Sequence, residues 1–222
     1  MKNIFPLFTG FKNKALSLFL LVFILLSYNG LWSQSNNLAP LVDKKATASA
    51  ILLSKKLQAI SKQGFAIGHQ DASSYGIGWK HNDHPEKIDS DVHRVLGDFP
   101  AVFGFDIGGI ELDSPDNLDS VPFATMKKLI IDAHAKGGII TISWHLDNPV
   151  TGGDSWDKTS AVAQCLKGGE ERVKYELWVK RVANFLNALE YQGEKIPVVF
   201  RPFHEMNGSW FWWGDPNCTS KD

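Results

Sequence analysis

The chain has 222 residues, of which 44% are hydrophobic and 21% charged, and its formal net charge is -1. This composition is typical of a globular protein with a buried core and excludes a fibrous or disordered chain. The two signs of charge are interspersed, so we expect neither a nucleic-acid partner nor a basic surface for an anionic membrane. The eight tryptophans exceed what a core requires, and flat aromatic faces among polar groups favour an uncharged, sugar-like partner.

Residues 1–34 have the pattern of a secretory signal peptide. Lysines precede an apolar run over residues 15–26, which is too short for a comfortable membrane-spanning helix. Polar residues follow from Ser33, and this region has no cysteine for a lipid anchor. We therefore expect the mature chain to be secreted or periplasmic, with no membrane contact after cleavage. An uncleaved membrane anchor is the alternative.

From Pro40 onward, helical patterns alternate with short apolar runs, and no linker or repeat divides the chain. Apolar residues three or four apart predict the helices, glycines end them, and near-continuous apolar runs predict strands buried on both faces. This alternation predicts a parallel sheet covered by helices, so the fold class is α/β. A dinucleotide-binding sheet competes, but no glycine-rich phosphate loop follows the first strand. In chain order, the predicted elements are a helix over 44–62, a strand over 65–68, a strand over 101–106, a helix capped by Ser120 and ended by Gly137, a strand over 139–144, a helix over 170–191 and a strand over 196–200.

Polar side chains gather just beyond the carboxyl ends of the predicted strands. Barrel enzymes keep their active sites at this end of the sheet, so these residues are the candidates for chemistry. They are His69, Gln70, Asp106, His145, Asp147, His204 and Glu205.

The carboxyl group of Glu205 follows the fourth predicted strand directly and has aromatic neighbours in the sequence. We expect packing beside Trp210, Trp212 and Trp213 to desolvate this group and raise its pKa. A carboxyl group that stays protonated can donate its proton to a leaving glycosidic oxygen, which is the role of a general acid. A salt bridge between Glu205 and Arg201 is the structural alternative.

Four stretches stand out, namely residues 200–214 (FRPFHEMNGSWFWWG), residues 143–149 (SWHLDNP) with Gly152-Gly153-Asp154 and Trp156, residues 104–109 (GFDIGG) and, more weakly, Gly68-His-Gln70. Together they resemble glycoside hydrolase family 26, and the first of them resembles the acid/base signature of that family. The resemblance covers the chain after the signal peptide, so residues 35–222 are interpreted as part of a catalytic barrel. It implies a retaining hydrolase on a (β/α)8 TIM barrel, in most members an endo-β-1,4-mannanase. We expect no cofactor.

The resemblance also assigns roles to individual side chains. Glu205 is implied as the general acid/base. His204, Trp210 and His145 are implied to border the sugar in the cleaved subsite. Trp156 is implied to stack on a sugar further along the cleft.

Three of the candidate substrate-binding residues have structural alternatives that the sequence leaves open. Asp106 either orients polar groups beneath the substrate or holds its glycine-rich loop through backbone hydrogen bonds. His145 could instead be a core histidine, and Trp156 could belong to an exposed turn.

We expect no metal, because His81, His84 and His93 match no spacing of metal ligands. Cys165 and Cys218 are expected in loops on one face of the barrel, where a disulfide and two thiols are equally compatible with the sequence. No pattern predicts an oligomeric state.

We expect the nucleophile of the family to be absent from this chain. A retaining glycosidase needs a second carboxylate about 5 Å from the first. In family 26 it follows the seventh strand, whereas this sequence stops at Asp222, shortly after the fourth predicted strand. We therefore expect about the first four β/α units of the barrel and an inactive fragment. Glu111, Asp147 and Asp154 could replace the nucleophile, but no motif places them opposite Glu205.

Two other functions remain open at this stage. The same scaffold could cleave β-glucan or β-xylan. A non-catalytic carbohydrate-binding protein would keep the aromatic cleft, but it would not need a carboxyl group such as Glu205 among the tryptophans.

Overall fold

The structure is a computed structural model that describes residues 41–81 and 89–218. The predicted signal peptide, residues 1–34, and His84 lie outside these ranges. Within them, no helix has both the length and the apolar character that a membrane crossing requires.

The described residues form five α-helices, one 3-10 helix and eight strands. The helices are α1 (Ala48–Gln63), α2 (Asp91–Leu96), the 3-10 helix (Ile110–Leu112), α3 (Phe123–Ala135), α4 (Val162–Cys165) and α5 (Arg172–Asn187). The strands are β1 (Gly68–Gln70), β2 (Tyr75–Gly76), β3 (Trp79–Lys80), β4 (Val102–Asp106), β5 (Ile139–Ser143), β6 (Glu190–Tyr191), β7 (Glu194–Lys195) and β8 (Val198–Arg201).

The main sheet has the order β1-β4-β5-β8, and each neighbouring pair is parallel. Along the chain, at least one helix lies between each strand of the main sheet and the next strand of that sheet. The predicted α/β class with a parallel sheet is therefore confirmed. Asp106 pairs with Ser143, and Ser143 pairs with Arg201. These three residues end their strands. The loops that follow β4, β5 and β8 therefore leave the sheet on the same side, at the carboxyl ends of the strands.

The core lies where the two central strands pack against α3, and α5, which packs against the 3-10 helix, adds buried side chains to it. Gly138, between α3 and β5, packs directly against the ring of Phe103 in β4. A Cβ atom at this position would lie only 2.7 Å from that ring. The buried side chains of the strands are Phe103, Phe105, Ile140 and Ile142, and those of the helices are Met126, Leu129, Ile130, Ala133, Trp178 and Val182.

The first strand differs from its prediction. It covers Gly68–Gln70 instead of residues 65–68, and all three of its residues are exposed. Phe65 and Ile67, which were expected inside, are 86% and 66% exposed. The expectation of burial on both faces is therefore wrong for this strand, because β1 is an edge strand of the described sheet.

Two helix ends also differ. Pro122, and not Ser120, precedes α3, and it makes no capping hydrogen bond through its side chain. The helix predicted to reach residue 191 ends at Asn187, and β6 and β7 form a short hairpin behind it. Its turn places Gln192 and Gly193 at φ 52° and 82°. Glutamine is a weaker signal for this left-handed turn than asparagine, so the sequence did not reveal the hairpin.

Truncating one core leucine tests this packing. Leu129 in α3 is 0% exposed, so Leu129→Ala should lower the free energy of unfolding by about 2–5 kcal/mol through lost burial and a residual cavity. Leu52 in α1 is 64% exposed, and Leu52→Ala should change it by less than about 0.5 kcal/mol. Urea unfolding measures both, and equal effects would contradict the placement of α3 against the sheet.

Candidate active site

A buried carboxylate stands at the end of β4. Asp106 is 2% exposed, and its Oδ1 accepts hydrogen bonds from the backbone N–H of Gly108 at 2.8 Å and of His145 at 3.3 Å. Its Oδ2 accepts from the hydroxyl of Ser143 at 2.6 Å and lies 2.7 Å from Nδ1 of His145. Burial alone would raise the pKa of Asp106, but the hydrogen bond and charge of His145, with the other donors, lower it. Asp106 is therefore a carboxylate that orients the loop after β5.

The two candidate histidines touch. Nε2 of His145 lies 3.1 Å from Nε2 of His204, which follows β8. The ring of Trp156 stacks on that of His145, with centroids 5.3 Å apart and an angle of 13° between the planes. The structure thus brings Asp106, His145, His204 and Trp156 into one connected group.

Phe211 is a member of this group that the sequence reasoning missed. It is 2% exposed, and its ring lies 5.2 Å from that of His145 and 5.4 Å from that of His204. It also contacts the rings of Trp156 and Trp210. A phenylalanine within an aromatic run was the available signal, but sequence alone does not tell which ring of the run points inward.

The surroundings of Glu205 differ from the expectation. Glu205 is exposed, and Oε2 accepts a hydrogen bond from the indole N–H of Trp210 at 2.8 Å. Trp212 and Trp213 are buried below, where their N–H groups donate to the backbone oxygens of Leu146 and His204. Three tryptophans do not enclose the carboxyl group, so the desolvated setting predicted for Glu205 is wrong.

The salt bridge considered as the alternative role of Glu205 is also not formed. Arg201 donates from Nε to the hydroxyl of Thr141 at 3.2 Å. The ion pairs found among residues 41–81 and 89–218 do not join Arg201 to Glu205. Glu205 has a φ of 55°, which is uncommon for a residue with a side chain and occurs often at functional sites.

Gly208 provides the space in which Trp210 lies. A Cβ atom at this buried glycine would come within 2.2–2.5 Å of three atoms of the Trp210 ring. The indole that donates to Glu205 can therefore keep its position only because residue 208 lacks a side chain.

Glu111 is a second buried carboxylate. It is 0% exposed and accepts three hydrogen bonds, from the indole of Trp144 at 2.8 Å, from the backbone of Asp147 at 2.8 Å and from that of Gly109 at 3.0 Å. Burial raises the pKa of Glu111, and these hydrogen bonds partly oppose the rise. Both oxygens are engaged in holding the loops after β4 and β5 together, so Glu111 is unsuited to replace the nucleophile.

The other two candidates for that replacement lie near each other on the loop after β5. Burial and the charge of Asp154 raise the pKa of Asp147. No contact in the described residues links either group to Glu205.

Asp71 was not predicted as a site residue. It follows β1, is 2% exposed and accepts hydrogen bonds from Ser74 at 3.2 Å and Gln70 at 3.3 Å. Burial, followed by the charge of Asp119, raises the pKa of Asp71 to about 6. A polar loop residue with no neighbouring apolar pattern gave no signal that it would be buried.

The two cysteines are thiols in the structure, and both line one cavity of about 190 Å³. Burial raises the pKa of Cys165 to about 11, while Cys218 donates from Sγ to the backbone oxygen of Trp213 at 2.7 Å. Within the described ranges, no three His, Cys, Asp or Glu side chains are grouped so that they could hold a metal ion.

Comparison with known proteins identifies the family. A family model described as glycosyl hydrolase family 26 matches residues 42–221. The chain belongs to glycosyl hydrolase family 26. This confirms the resemblance drawn from the motifs around Glu205, His145 and Asp106.

Several relatives of this family 26 chain are mannanases by name. It is 32% identical over 195 residues to a mannan endo-1,4-β-mannosidase of Bifidobacterium adolescentis, and the match spans 86% of this chain and 19% of that protein. A GH26 β-mannanase from Bacteroides ovatus superposes with a TM-score of 0.75 at 47% identity, over 79% of this chain and 51% of that one. A modular endo-β-1,4-mannanase from Cellulomonas fimi superposes with a TM-score of 0.68 at 35% identity, over 78% of this chain and 39% of that one. The chain thus spans about half or less of these relatives.

The raised pKa of Asp71 predicts a pH-dependent stability. The native group binds its proton more tightly than the unfolded one, whose pKa is near 3.8, so its contribution is favourable below pH 4 and is lost as the pH rises through about 6. Asp71→Asn should remove this loss. As the pH rises from 4 to 7, its free energy of unfolding should increase by roughly 2–3 kcal/mol relative to that of the wild type. Asparagine also tolerates the φ of 50° at this position.

Urea unfolding across this pH range measures the effect. Asp132→Asn is the matched control, because Asp132 is exposed on α3. A parallel pH dependence of the Asp71→Asn variant and the wild type would contradict the burial of Asp71.

Gly208→Ala should displace Trp210 and break its hydrogen bond to Glu205, because the new methyl group would overlap the indole. The indole N–H resonance of Trp210 in a 1H–15N spectrum reports the bond directly. Ser209→Ala changes the exposed neighbour and should leave that resonance in place. An unshifted resonance in Gly208→Ala would mean that Trp210 does not depend on the glycine.

Proposed function

We propose that this chain is the acid/base-bearing part of a retaining glycoside hydrolase that cleaves β-1,4-mannosidic bonds in mannan. The observation that carries the proposal is the exposed carboxyl group of Glu205, held by the Trp210 indole at 2.8 Å beside the pair His145 and His204. The names of the relatives support mannan as the substrate. The near-neutral charge of the chain agrees with an uncharged polysaccharide.

Glu205 acts first as an acid and then as a base. It gives its proton to the glycosidic oxygen while a second carboxylate attacks the anomeric carbon, which releases one sugar chain and leaves the other bound covalently. Glu205 then takes a proton from water, whose oxygen displaces the enzyme carboxylate. The Trp210 N–H occupies Oε2, so Oε1 is the oxygen placed to carry the proton.

The exposed rings of Trp156 and Trp210 bind the sugars. Trp156 is 49% exposed and Trp210 is 42% exposed, which is unusual for such large apolar side chains. Their accessible ring faces suit the apolar faces of sugar rings, and the ring of His145 supports Trp156 from the other side.

The nucleophile comes from outside the described residues. It must lie about 5 Å from Glu205, and Glu111 cannot take this role because its oxygens are engaged. We infer that residues 35–222 supply about the first four β/α units of a (β/α)8 barrel and are inactive alone. The sequential order of the parallel strands supports this inference. Export through residues 1–34 would bring the enzyme to its substrate in the periplasm or outside the cell.

The test uses the gene extended past codon 222. Extended and present chains, both without residues 1–34, are assayed for reducing sugar released from mannan, with β-glucan and β-xylan in parallel. We expect activity on mannan from the extended protein only, and a loss of about 10²–10⁴-fold in its Glu205→Gln variant. Glu194→Gln is the control, because Glu194 is exposed on the β6-β7 hairpin.

Each other outcome contradicts one part of the proposal. Activity of the present chain would refute the absent nucleophile. Preference for β-glucan or β-xylan would refute mannan as the substrate. Mannan binding without turnover, unchanged by Glu205→Gln, would indicate a carbohydrate-binding protein instead of an enzyme.

A further inference from the structure

The protons of the Asp106, His145 and His204 group can be assigned by counting donors and acceptors. Both oxygens of Asp106 accept hydrogen bonds, and the group is ionised, so it has no proton to give. The contact of 2.7 Å between Oδ2 and Nδ1 of His145 therefore requires the hydrogen on Nδ1. In the neutral form of the ring, which carries one hydrogen, this leaves Nε2 of His145 as a bare acceptor.

The contact between the two histidines then determines which nitrogen of His204 carries a hydrogen. The two Nε2 atoms are 3.1 Å apart, and one hydrogen must lie between them. Since Nε2 of His145 is bare, Nε2 of His204 carries the hydrogen and donates. Burial is the main cause that lowers the pKa of His204, which favours the neutral ring, and a neutral ring with its hydrogen on Nε2 has a bare Nδ1.

The surroundings of His204 Nδ1 favour the same assignment. This atom is buried and has no hydrogen-bond partner among the described residues. The opposite arrangement, with a proton on His145 Nε2, would place an N–H at His204 Nδ1 with no acceptor to receive it. Orphaned buried N–H groups are rarer than under-satisfied acceptors, so a bare nitrogen is the better fit.

A flip of either ring would break the hydrogen bond between the two histidines, because it would replace a nitrogen by a carbon at the contact. The His145 ring is stacked on Trp156 and packed against the edge of Phe211. The His204 ring lies between Phe211 and Trp213, at 5.4 and 6.0 Å. A flip of His145 would put ring carbons where Asp106 and His204 now find nitrogens.

We propose that Asp106 is a positioning residue that fixes the tautomers of both histidines, with the hydrogen of His145 on Nδ1 and that of His204 on Nε2. Asp106 acts through the histidines and does not touch substrate. The relay fixes which nitrogen of the ring next to Glu205 carries the hydrogen, and it orients the ring on which Trp156 stacks. Its value to sugar binding rests on the proposed function, whereas the tautomers themselves do not.

Replacing Asp106 by asparagine reverses the relay. In Asp106→Asn the amide oxygen can keep the two backbone donors, and the NH2 group then faces Nδ1 of His145 and Ser143. It donates to Nδ1, which must become bare, while Ser143 can turn its hydrogen to the backbone oxygen of Phe105, 3.3 Å away. The hydrogen of His145 moves to Nε2, and that of His204 moves to Nδ1. Loss of the correct tautomer is how an amide in place of a carboxylate disables other histidine sites.

Long-range 1H–15N spectra of the histidine rings in the full chain at pH 8 test the proposal, with ring signals assigned from His145→Asn and His204→Asn. The wild type should show Nδ1–H on His145 and Nε2–H on His204, and Asp106→Asn should show both reversed. Asp119→Asn is the matched control, because Asp119 interacts electrostatically with Asp106 and His145 but forms no hydrogen bond with either.

A proton on Nε2 of wild-type His145, with or without one on Nδ1, would overturn the proposal. So would a reversal in Asp119→Asn equal to that in Asp106→Asn, since the field of the carboxylates and not the hydrogen bond would then set the tautomers. The readout needs no enzymatic activity, so a chain that proves inactive on mannan still gives a decisive answer.

Discussion

Two buried carboxylates, Asp106 and Glu111, hold the loops that follow β4 and β5 against each other. Asp106 reaches Ser143 and His145 across the strand pair, and Glu111 reaches Trp144 and the backbone of Asp147. Because a buried carboxylate is costly unless donors surround it, each group tolerates only a narrow range of loop positions. The placement of the histidines and of Trp156 follows from these bonds, and the register of the sheet makes the bonds possible.

The two carboxylates differ in their chemistry because their partners differ. Asp106 accepts a hydrogen bond from His145 as well as from Ser143 and two backbone N–H groups, and its pKa is lowered. Glu111 has only neutral N–H dipoles, and burial keeps its pKa raised. Asp106 is therefore the centre of a polar network with defined proton positions. Glu111 only holds the two loops together through its hydrogen bonds. An acidic residue near an active site is not by that fact a candidate nucleophile.

The sequence predicted the parts of the molecule that depend on periodic patterns and continuous motifs. The α/β class, the parallel sheet and the family follow from the strands around Phe103 and Ile140 and from the stretch around Glu205. It failed where the answer depends on which way a side chain turns. Trp210 lies at the surface while Trp212 and Trp213 are buried, and nothing in an aromatic run distinguishes them. The burial of Asp71 likewise depends on loops that approach from distant parts of the chain.

The exposure of Glu205 is informative about what a site of this kind requires. A general acid that holds its proton needs an environment of low polarity or a neighbouring negative charge. The described residues supply Trp210 on one side of Glu205 and leave the other side open to water. A nucleophilic carboxylate about 5 Å away would supply the missing charge, and a bound sugar would exclude the water. The residues beside Glu205 in the sequence therefore do not by themselves build the surroundings that the proposed general acid needs.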